Sequence, residues 1–205
     1  MDAIRTLIEE HRLILRAVEA LESYAERVER ERRVDRDEVA GFVAFLAEFV
    51  DLRHHGKEED VLFAALADAG FSAASGPLAV MRADHDRGRR LVRRIRELSE
   101  KPEAWDEADF ESFAGDARAY ADLLRDHIRR EDEVLYPMAE EHLSRAQRRQ
   151  VEELFRLFEE QREAGRLHER LHDLAERLIE RHGRAGAGRQ SASRHPRPVP
   201  SCCEM

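Results

Sequence analysis

Apolar residues recur every three to four positions along most of this chain, and that helical period limits the possible folds more than any other feature. Glycine and proline are sparse until the C-terminal end. The pattern predicts five helices, at about residues 4–31, 36–69, 77–99, 107–142 and 144–183. Two helix starts carry capping boxes, Asp35 with Glu38 and Ser144 with Gln147. Pro137 is expected to kink or weaken the last turns of the fourth helix because it lacks a backbone donor.

Four long helices with short connections, each with one apolar face, predict an all-α fold, an antiparallel up-and-down four-helix bundle. The fifth helix is expected as an additional C-terminal helix that packs outside the bundle or at one end. Residues 1–183 form this predicted domain. Residues 184–205 are rich in Gly, Ser, Arg and Pro, and we expect them to be a disordered tail.

Charge and cysteine content exclude several classes of function. The net charge of −9, with both signs interleaved, offers no basic surface to nucleic acid or to an anionic membrane. Charged residues interrupt every apolar stretch far short of the ~18 residues that a transmembrane helix needs. The acidic N-terminal residues lead into no apolar segment, so we expect no secretory signal and a cytoplasmic location. The two cysteines, Cys202 and Cys203, are adjacent in the predicted tail, so any metal in the bundle would need His and carboxylate ligands.

Histidine and glutamate occupy positions on the helical stripes where apolar residues are expected. The stripe of Ile4, Leu7 and Leu15, for example, passes through a histidine. On the second and fourth helices a His and a Glu four residues apart lie one turn apart, roughly 6 Å along the axis, so that both can reach a common ion. The six residues are His11 on the first helix, His54 and Glu58 on the second, His85 on the third, and His127 and Glu131 on the fourth.

An internal repeat relates these six residues. The separation of the two single histidines along the chain nearly equals the separation of the two His and Glu pairs. The segment HHGKEEDVLF at 54–63 aligns with HIRREDEVLY at 127–136. A duplicated helix pair is expected to place four imidazoles and two carboxylates about a pseudo-twofold axis in the centre of the bundle.

Two buried carboxylates need compensating positive charge, and no Lys or Arg shares these stripe positions. One histidine on an apolar stripe is more often a hydrogen-bonded core residue, but six such residues in duplicated register favour metal ligation. Mixed imidazole and carboxylate ligation suits Fe, Mn or Zn, and two carboxylates between two three-ligand halves suit a bridged pair of ions. Iron is the preferred ion, since an open binuclear bundle site is suited to dioxygen chemistry.

The remaining histidines are weaker candidates. His55 lies about 100° around the helix from its neighbour and is an extra ligand, an outer residue or solvent-facing. His168 and His172 border the leucine stripe of the fifth helix, where a solvated face is the better interpretation. His182 is expected at the surface near a helix end, as are the two others outside the repeat, His142 and His195.

The chain has a His on the first helix, an HxxxE motif followed by Leu-Phe, a His on the third helix, and a second HxxxE motif followed by Leu-Tyr-Pro. In these features it resembles the hemerythrin-like, or HHE cation-binding, family. The similarity covers about residues 1–142. The resemblance implies a four-helix bundle with a non-heme di-iron site, two Fe ions bridged by carboxylates and by an oxo or hydroxo group. By position, the ligands that the family implies are His11, His54, Glu58, His85, His127 and Glu131, with Glu58 and Glu131 as the bridges.

The chain departs from the oxygen-carrying members of the family. Those proteins have a second histidine one turn after the third-helix ligand, and this chain has Arg89 there. Their fourth-helix carboxylate is an Asp one residue further from its His, whereas Glu131 is followed by Asp132 here. The first copy has Ala64 in place of the usual proline. One iron would then have fewer histidines, with His55, a nearby Tyr or water completing its coordination.

We expect a di-iron protein that binds or senses dioxygen or a related small oxidant, nitric oxide or peroxide. A second possibility is an oxidant-scavenging di-iron enzyme, for which Tyr120 is the candidate proton donor. A third is an iron-storage or iron-donor module. The sequence does not identify a protein partner.

Overall fold

The computed structural model describes residues 1–162 and 167–183, and the regular elements of these residues are all helical, which confirms the all-α prediction. Residues 184–205, with the predicted tail and both cysteines, lie outside the described residues. Among the described helices, none combines the length and the apolar character that a membrane-spanning segment needs. The helices are α1 (Asp2–Glu31), α2 (Arg36–Ala44, continuing to Asp68), α3 (Gly76–Glu100), α4 (Glu107–Arg130, continuing to His142), α5 (Arg145–Arg162) and α6 (Leu167–His182).

The two helices that carry a His and Glu pair both widen into π-helix. Helix α2 is π-helical at Phe45–His55 and Glu58–Leu62 and returns to α-helix at Phe63–Asp68. Helix α4 is π-helical at Glu131–Leu135 and returns to α-helix at Tyr136–His142. A π turn therefore begins at each of the two predicted ligand glutamates. Such turns are rare and are often found at functional sites.

The buried face of α4 beyond Glu131 differs from the sequence-based prediction. The α-helical period predicts that Val134 continues the buried face of Glu131, but Val134 is 51% exposed. Leu135 and Tyr136 are buried, as are their equivalents on α2, Leu62 and Phe63. The interpretation of Val134 as a core residue was wrong, although Val61 at the equivalent position of the α2 π turn is only 5% exposed.

Proline is not the cause of the widening. The N–H of Tyr136, the residue before Pro137, donates to the carbonyl of Glu131 five residues earlier, and the helix then continues to His142. The π turn in α2 has the same position relative to its glutamate, yet Ala64 stands where the second copy has proline. The irregularity thus belongs to both copies of the repeat.

Of the two predicted capping boxes, the one at the start of α5 forms and the one at the start of α2 does not. At the start of α5, the N–H of Ser144 donates to Oε1 of Gln147 at 3.0 Å, and the N–H of Gln147 donates to Oγ of Ser144 at 3.3 Å. At the start of α2, Asp35 accepts from the N–H of Asp37 at 3.0 Å. Its expected partner Glu38 binds side chains of α6 instead.

The interior consists of two apolar clusters separated by a layer of buried polar side chains, which we call the polar band. The large cluster fills one end of the bundle and includes Ile14, Leu21, Phe45, Phe113 and Leu124. The small cluster fills the other end and includes Ile4, Leu7, Leu62, Phe63, Met81 and Leu135. Each of α1 to α4 contributes to both clusters and crosses the polar band between them. The members of the band are His11, Glu10, Arg53, His54, His55, Lys57, Glu58, His85, His127 and Glu131.

The C-terminal helices lie along the bundle. Leu171 and Leu178 of α6 join the large cluster, while Val151 and Phe155 of α5 join the small one. His182, expected at the surface, is only 8% exposed. Its Nε2 lies 2.8 Å from Glu38, and its Nδ1 lies 2.9 Å from Arg27. The predicted surface position of His182 was wrong because its partners belong to helices distant in sequence.

Candidate metal centre

The six residues singled out in the sequence lie together in the polar band. Each of the four histidines is 1% exposed, and the two glutamates are fully buried. They come from four different helices, which bring them together at one level of the bundle. These residues are His11 from α1, His54 and Glu58 from α2, His85 from α3, and His127 and Glu131 from α4.

The imidazoles form two pairs. Nε2 of His11 lies 3.0 Å from Nε2 of His54, and Nε2 of His85 lies 3.0 Å from Nε2 of His127. The ring centroids are 4.7 Å apart in both pairs, and the rings meet edge to face. One pair joins α1 to α2 and the other joins α3 to α4, as the internal repeat predicts.

The two glutamates lie between the imidazole pairs. Oε2 of Glu131 is 3.3 Å from Nε2 of His11, and its Oε1 is 3.0 Å from Nε2 of His127. Oε2 of Glu58 is 3.8 Å from Nε2 of His54 and 3.5 Å from Nε2 of His85. Each carboxylate therefore approaches one imidazole of either pair.

A second group of carboxylates lies behind the imidazoles. Nδ1 of His11 is 2.9 Å from Asp132, and Nδ1 of His54 is 2.9 Å from Glu10. These contacts fix the orientation of each ring and leave Nε2 toward the cluster centre. A carboxylate behind a ligating imidazole is the usual way to fix its tautomer and increase its basicity.

The other imidazole pair also has carboxylates behind it, at hydrogen-bond distance for His85 but not for His127. Nδ1 of His85 is 2.5 Å from Glu59, and Nδ1 of His127 is 3.6 Å from Asp84. These four outer carboxylates were not predicted from the sequence. Two features of the sequence could have identified them. Each directly precedes or follows a predicted ligand, and each has an acidic residue at the equivalent position of the other repeat.

Carboxylates raise the pKa of several imidazoles in the absence of metal. Burial opposes protonation of His11, but the neighbouring carboxylates of Asp132 and Glu131 outweigh it and raise its pKa to about 10. Burial also opposes protonation of His85, yet Glu131 and Glu58 contribute to raising its pKa to about 11. Positive charge is thus strongly favoured at these positions.

Burial and neighbouring charges also set the pKa values of His127, His54 and Glu131. Burial opposes protonation of His127, and the charge of Glu131 reverses this and raises its pKa to about 9. For His54 burial dominates and holds its pKa well below the usual value. Burial alone would raise the pKa of Glu131, but His127 and His11 hold that pKa well below its usual value. Glu131 is therefore an ionised, fully buried carboxylate.

Three of the four carboxylate oxygens at the centre lack a hydrogen-bond donor among the described residues. Both Oε atoms of Glu131 and Oε2 of Glu58 are buried and have no hydrogen-bond partner among the described residues. Unpartnered anionic oxygens are costly in a protein interior, and a cation among them would remove that cost. Two sets of donor atoms, each within 4.8 Å of one another, could hold a metal ion, namely His11, His54, Glu58 and Glu131, and His55, Glu58, His85 and His127.

The tyrosine nearest the centre is Tyr136. Its hydroxyl donates to Oε1 of Glu58 at 2.6 Å and lies 3.2 Å from Nε2 of His11. Tyr120, the tyrosine named in the sequence analysis, is buried nearby and lines a cavity beside the cluster. The position of Tyr136 follows from the π turn, which an α-helical period does not predict.

Buried basic residues support the outer carboxylates on one side. Lys57, fully buried, donates to Glu10 and to Glu159 of α5, the second at 2.7 Å. Arg53 also pairs with Glu159. Glu10 in turn holds His54, so α5 is connected to the cluster through a chain of charged side chains. Lys57 was not predicted to lie in the polar band.

Comparison with known proteins gives a family match. The family model described as the hemerythrin HHE cation binding domain matches residues 2–139. Uncharacterized proteins of Mycobacterium tuberculosis and Mycobacterium bovis are 30% identical over 107 residues. This match covers 52% of the chain and 41% of each relative, so the chain spans about two fifths of the length of these curated relatives. No solved structure matches the chain at a comparable level of significance.

Proposed function

The chain belongs to the hemerythrin HHE cation-binding family, and from this premise we propose that it is a di-iron protein that binds or senses dioxygen or a related small oxidant. The oxidants in question are dioxygen, nitric oxide and peroxide. A cytoplasmic location stays a prediction from the sequence. The ligands that we propose for the two iron ions are His11, His54, Glu58, His85, His127 and Glu131.

The observation that carries the proposal is the set of unpartnered oxygens on Glu58 and Glu131. These oxygens are buried between two imidazole pairs, and each glutamate approaches an imidazole of either pair. A single cation at one pair would leave the oxygens that face the other pair unsatisfied. Two cations, with the carboxylates shared between them, would satisfy both sides.

The donor set supports iron among the possible metals. Nitrogen and carboxylate oxygen donors without thiolate suit iron, manganese and zinc, and the two cysteines of the chain lie far from the bundle in sequence. Zinc is redox-inactive, and of the two redox-active metals Fe(II) is the one that readily binds dioxygen and nitric oxide, so iron is the metal that we propose. The protein's own part is to hold the imidazoles in fixed tautomers through the carboxylates behind them.

A cavity beside the cluster is the route that we propose for entry of a small ligand. It has a volume of about 260 Å³ and lies between α2 and α3, with Arg93 and Arg96 at its exposed rim. Its lining includes His55, which stacks on His85. A diatomic molecule or peroxide fits this volume, which supports a small oxidant as the ligand.

A scavenging enzyme is the second candidate, because Tyr136 provides a proton donor at the centre. Its hydroxyl contacts Glu58 and approaches His11, and burial together with the nearby carboxylates raises its pKa above the usual value. A tyrosine with a raised pKa stays protonated at neutral pH and could donate to a bound oxidant. This arrangement would assist turnover of peroxide.

The test is to load the protein with Fe(II) without oxygen, count the bound iron, and mix it with oxidants in a stopped-flow instrument. We expect about two irons per chain and a reduced count in Glu58→Ala. Dioxygen or nitric oxide binding that reverses on removal of the gas supports a binding or sensing role, whereas repeated peroxide consumption supports the enzyme. Fewer than two irons, unchanged in Glu58→Ala, would contradict the di-iron proposal. Ready release of iron to a weak chelator without oxidant chemistry would instead support an iron-donor module.

A further inference from the structure

His55 lies beside the six proposed ligands, and we propose that it is a fifth imidazole ligand, binding through Nε2 at the position shared by His85 and His127. The proposal rests on the proposed function, since it concerns the composition of the same metal site. It assigns three imidazoles to one ion and two to the other.

The geometry of His55 matches that of the four histidines already described. It is 3% exposed, and its Nδ1 lies 3.4 Å from Oδ1 of Asp51, so a carboxylate again lies behind the ring. Its ring stacks on that of His85 with a centroid distance of 3.8 Å. A donor atom of His55 lies within 4.8 Å of the donor atoms of Glu58, His85 and His127.

The other ring nitrogen of His55 has no partner. Nε2 is buried and makes no hydrogen bond among the described residues. Since Asp51 faces Nδ1, the atom available to a metal is Nε2. A core histidine with a purely structural role is expected to have both ring nitrogens satisfied.

The internal repeat shows that His55 is a feature of one half only. In the second repeat the position equivalent to His55 is Ile128, and the position equivalent to Asp51 is Leu124. Both counterparts are buried apolar residues of the large cluster. A histidine and its carboxylate have therefore replaced apolar packing at the same two positions of one half.

Arg89 is hydrogen-bonded to the carboxylate behind His55. Its Nε donates to Asp51 at 2.8 Å, and its Nη2 donates to Glu59 at 2.8 Å. The arginine thus ties together the carboxylate behind His55 and the carboxylate behind His85. Its counterpart in the first repeat is Leu15, so this element is also absent from the other half.

Tyr136 does not occupy the ligand position that we assign to His55. The hydroxyl of Tyr136 contacts Glu58 and His11, on the side of the other imidazole pair. The two metal positions would then differ, with a tyrosine hydroxyl beside one and a third imidazole at the other.

The first test is anaerobic Fe(II) loading of His55→Ala in competition with a chelator, with ⁵⁷Fe Mössbauer spectroscopy of the loaded protein. We expect the affinity for one of the two ions to fall by at least about tenfold, and one of two spectral components to change. His142→Ala is the matched control, because that residue is exposed and packs against Phe71 beside the small cluster. Retention of both ions with unchanged affinity and spectrum overturns the proposal, as does equal weakening of both ions.

A second test separates a ligand from a residue that only positions others. In His55→Gly, exogenous imidazole should restore the Mössbauer component that this variant loses, since a small imidazole can occupy the vacated space and bind the ion. Failure of imidazole to restore that component counts against direct ligation.

A measurement on the unaltered protein does not depend on how the variants fold. In zinc-loaded protein labelled with ¹⁵N-histidine, long-range ¹H–¹⁵N spectra should show five imidazoles with metal-bound Nε2. Four such imidazoles overturn the proposal.

The failure of this inference can be told from failure of the di-iron proposal. If the unaltered protein holds two ions and His85→Ala loses one, while His55→Ala behaves as the unaltered protein, only the role of His55 is wrong. If the unaltered protein holds no more metal than His85→Ala, the di-iron proposal itself fails.

Discussion

Nδ1 of His11 on α1 lies 2.9 Å from Oδ1 of Asp132 on α4, so a residue of the second repeat orients a histidine of the first. The converse contact joins His85 of the second repeat to Glu59 of the first, at 2.5 Å. Each repeat therefore depends on the other for the orientation of its single histidine. The two halves form one site rather than two adjacent sites.

Removal of Asp132 should weaken metal binding without removing a ligand. Asp132→Ala leaves His11 free to rotate and to change tautomer, and loss of such an outer partner costs about 10- to 100-fold in metal affinity. Chelator competition measures this effect. Glu133→Ala is the matched control, since Glu133 is the next residue and is exposed. Equal affinity in the two variants would argue against an orienting role for Asp132.

Metal binding should release protons at neutral pH. In the metal-free protein the pKa values of His11, His85 and His127 are raised to about 10, 11 and 9, so the cluster holds bound protons at pH 7. Their protonation stabilises the empty fold fully below about pH 6.5, and this contribution is lost as the pH rises through about 9 to 11. A cation must displace the protons, so metal affinity should increase with pH over that range.

The measurement is the titration of weakly buffered, metal-free protein with Zn(II) in the presence of a pH indicator. Acidification on binding is the expected result. His142→Ala should release the same number of protons, whereas His85→Ala should release fewer. Binding with no acidification at pH 7 would show that the imidazoles are already neutral.

Filling the cavity beside His55 should slow ligand entry and leave the metal in place. Ala47 lines that cavity, and Ala47→Phe would occupy much of its volume of about 260 Å³. We expect slower nitric oxide binding to the iron-loaded protein in stopped-flow measurements, with an unchanged iron content. Ala64→Phe, at an exposed position of the same helix, is the control. An unchanged binding rate would mean that the ligand enters elsewhere.

Tyr136→Phe should separate proton donation from folding. Phe63 occupies the equivalent position in the first repeat and stacks beside His85 much as Tyr136 stacks beside His11, so a phenylalanine fits this site. If Tyr136 donates a proton, the variant should retain both irons but consume peroxide at least about tenfold more slowly. A rate equal to that of the unaltered protein would exclude this hydroxyl as the donor.

The sequence was sufficient to predict the first four helices and the convergence of the six residues, whereas the single helix expected at about 144–183 is described as two, α5 and α6. The reason is that His11 and His85 interrupt otherwise apolar stripes, and a stripe must face the interior. The repeat then added the relative placement of the two halves, which no single stripe provides.

Other features depend on the three-dimensional arrangement and could not be predicted in this way. The burial of Tyr136 depends on a π turn, for which the local sequence has no recognised signal. The burial of His182 depends on Glu38 and Arg27, which lie near the other end of the chain. The role of Arg89 was also hidden, because its partners Asp51 and Glu59 belong to another helix.

The polar band has a consequence for how the molecule unfolds. It divides the interior into two apolar clusters that share the same four helices but are separated at mid-height by charged and polar side chains. Without metal the band is held by hydrogen bonds and ion pairs between side chains, so we expect the two ends to be coupled less strongly than in the metal-loaded protein. Cations at the band would tie all four helices together there. The metal would then determine whether the bundle melts as one cooperative unit or as two.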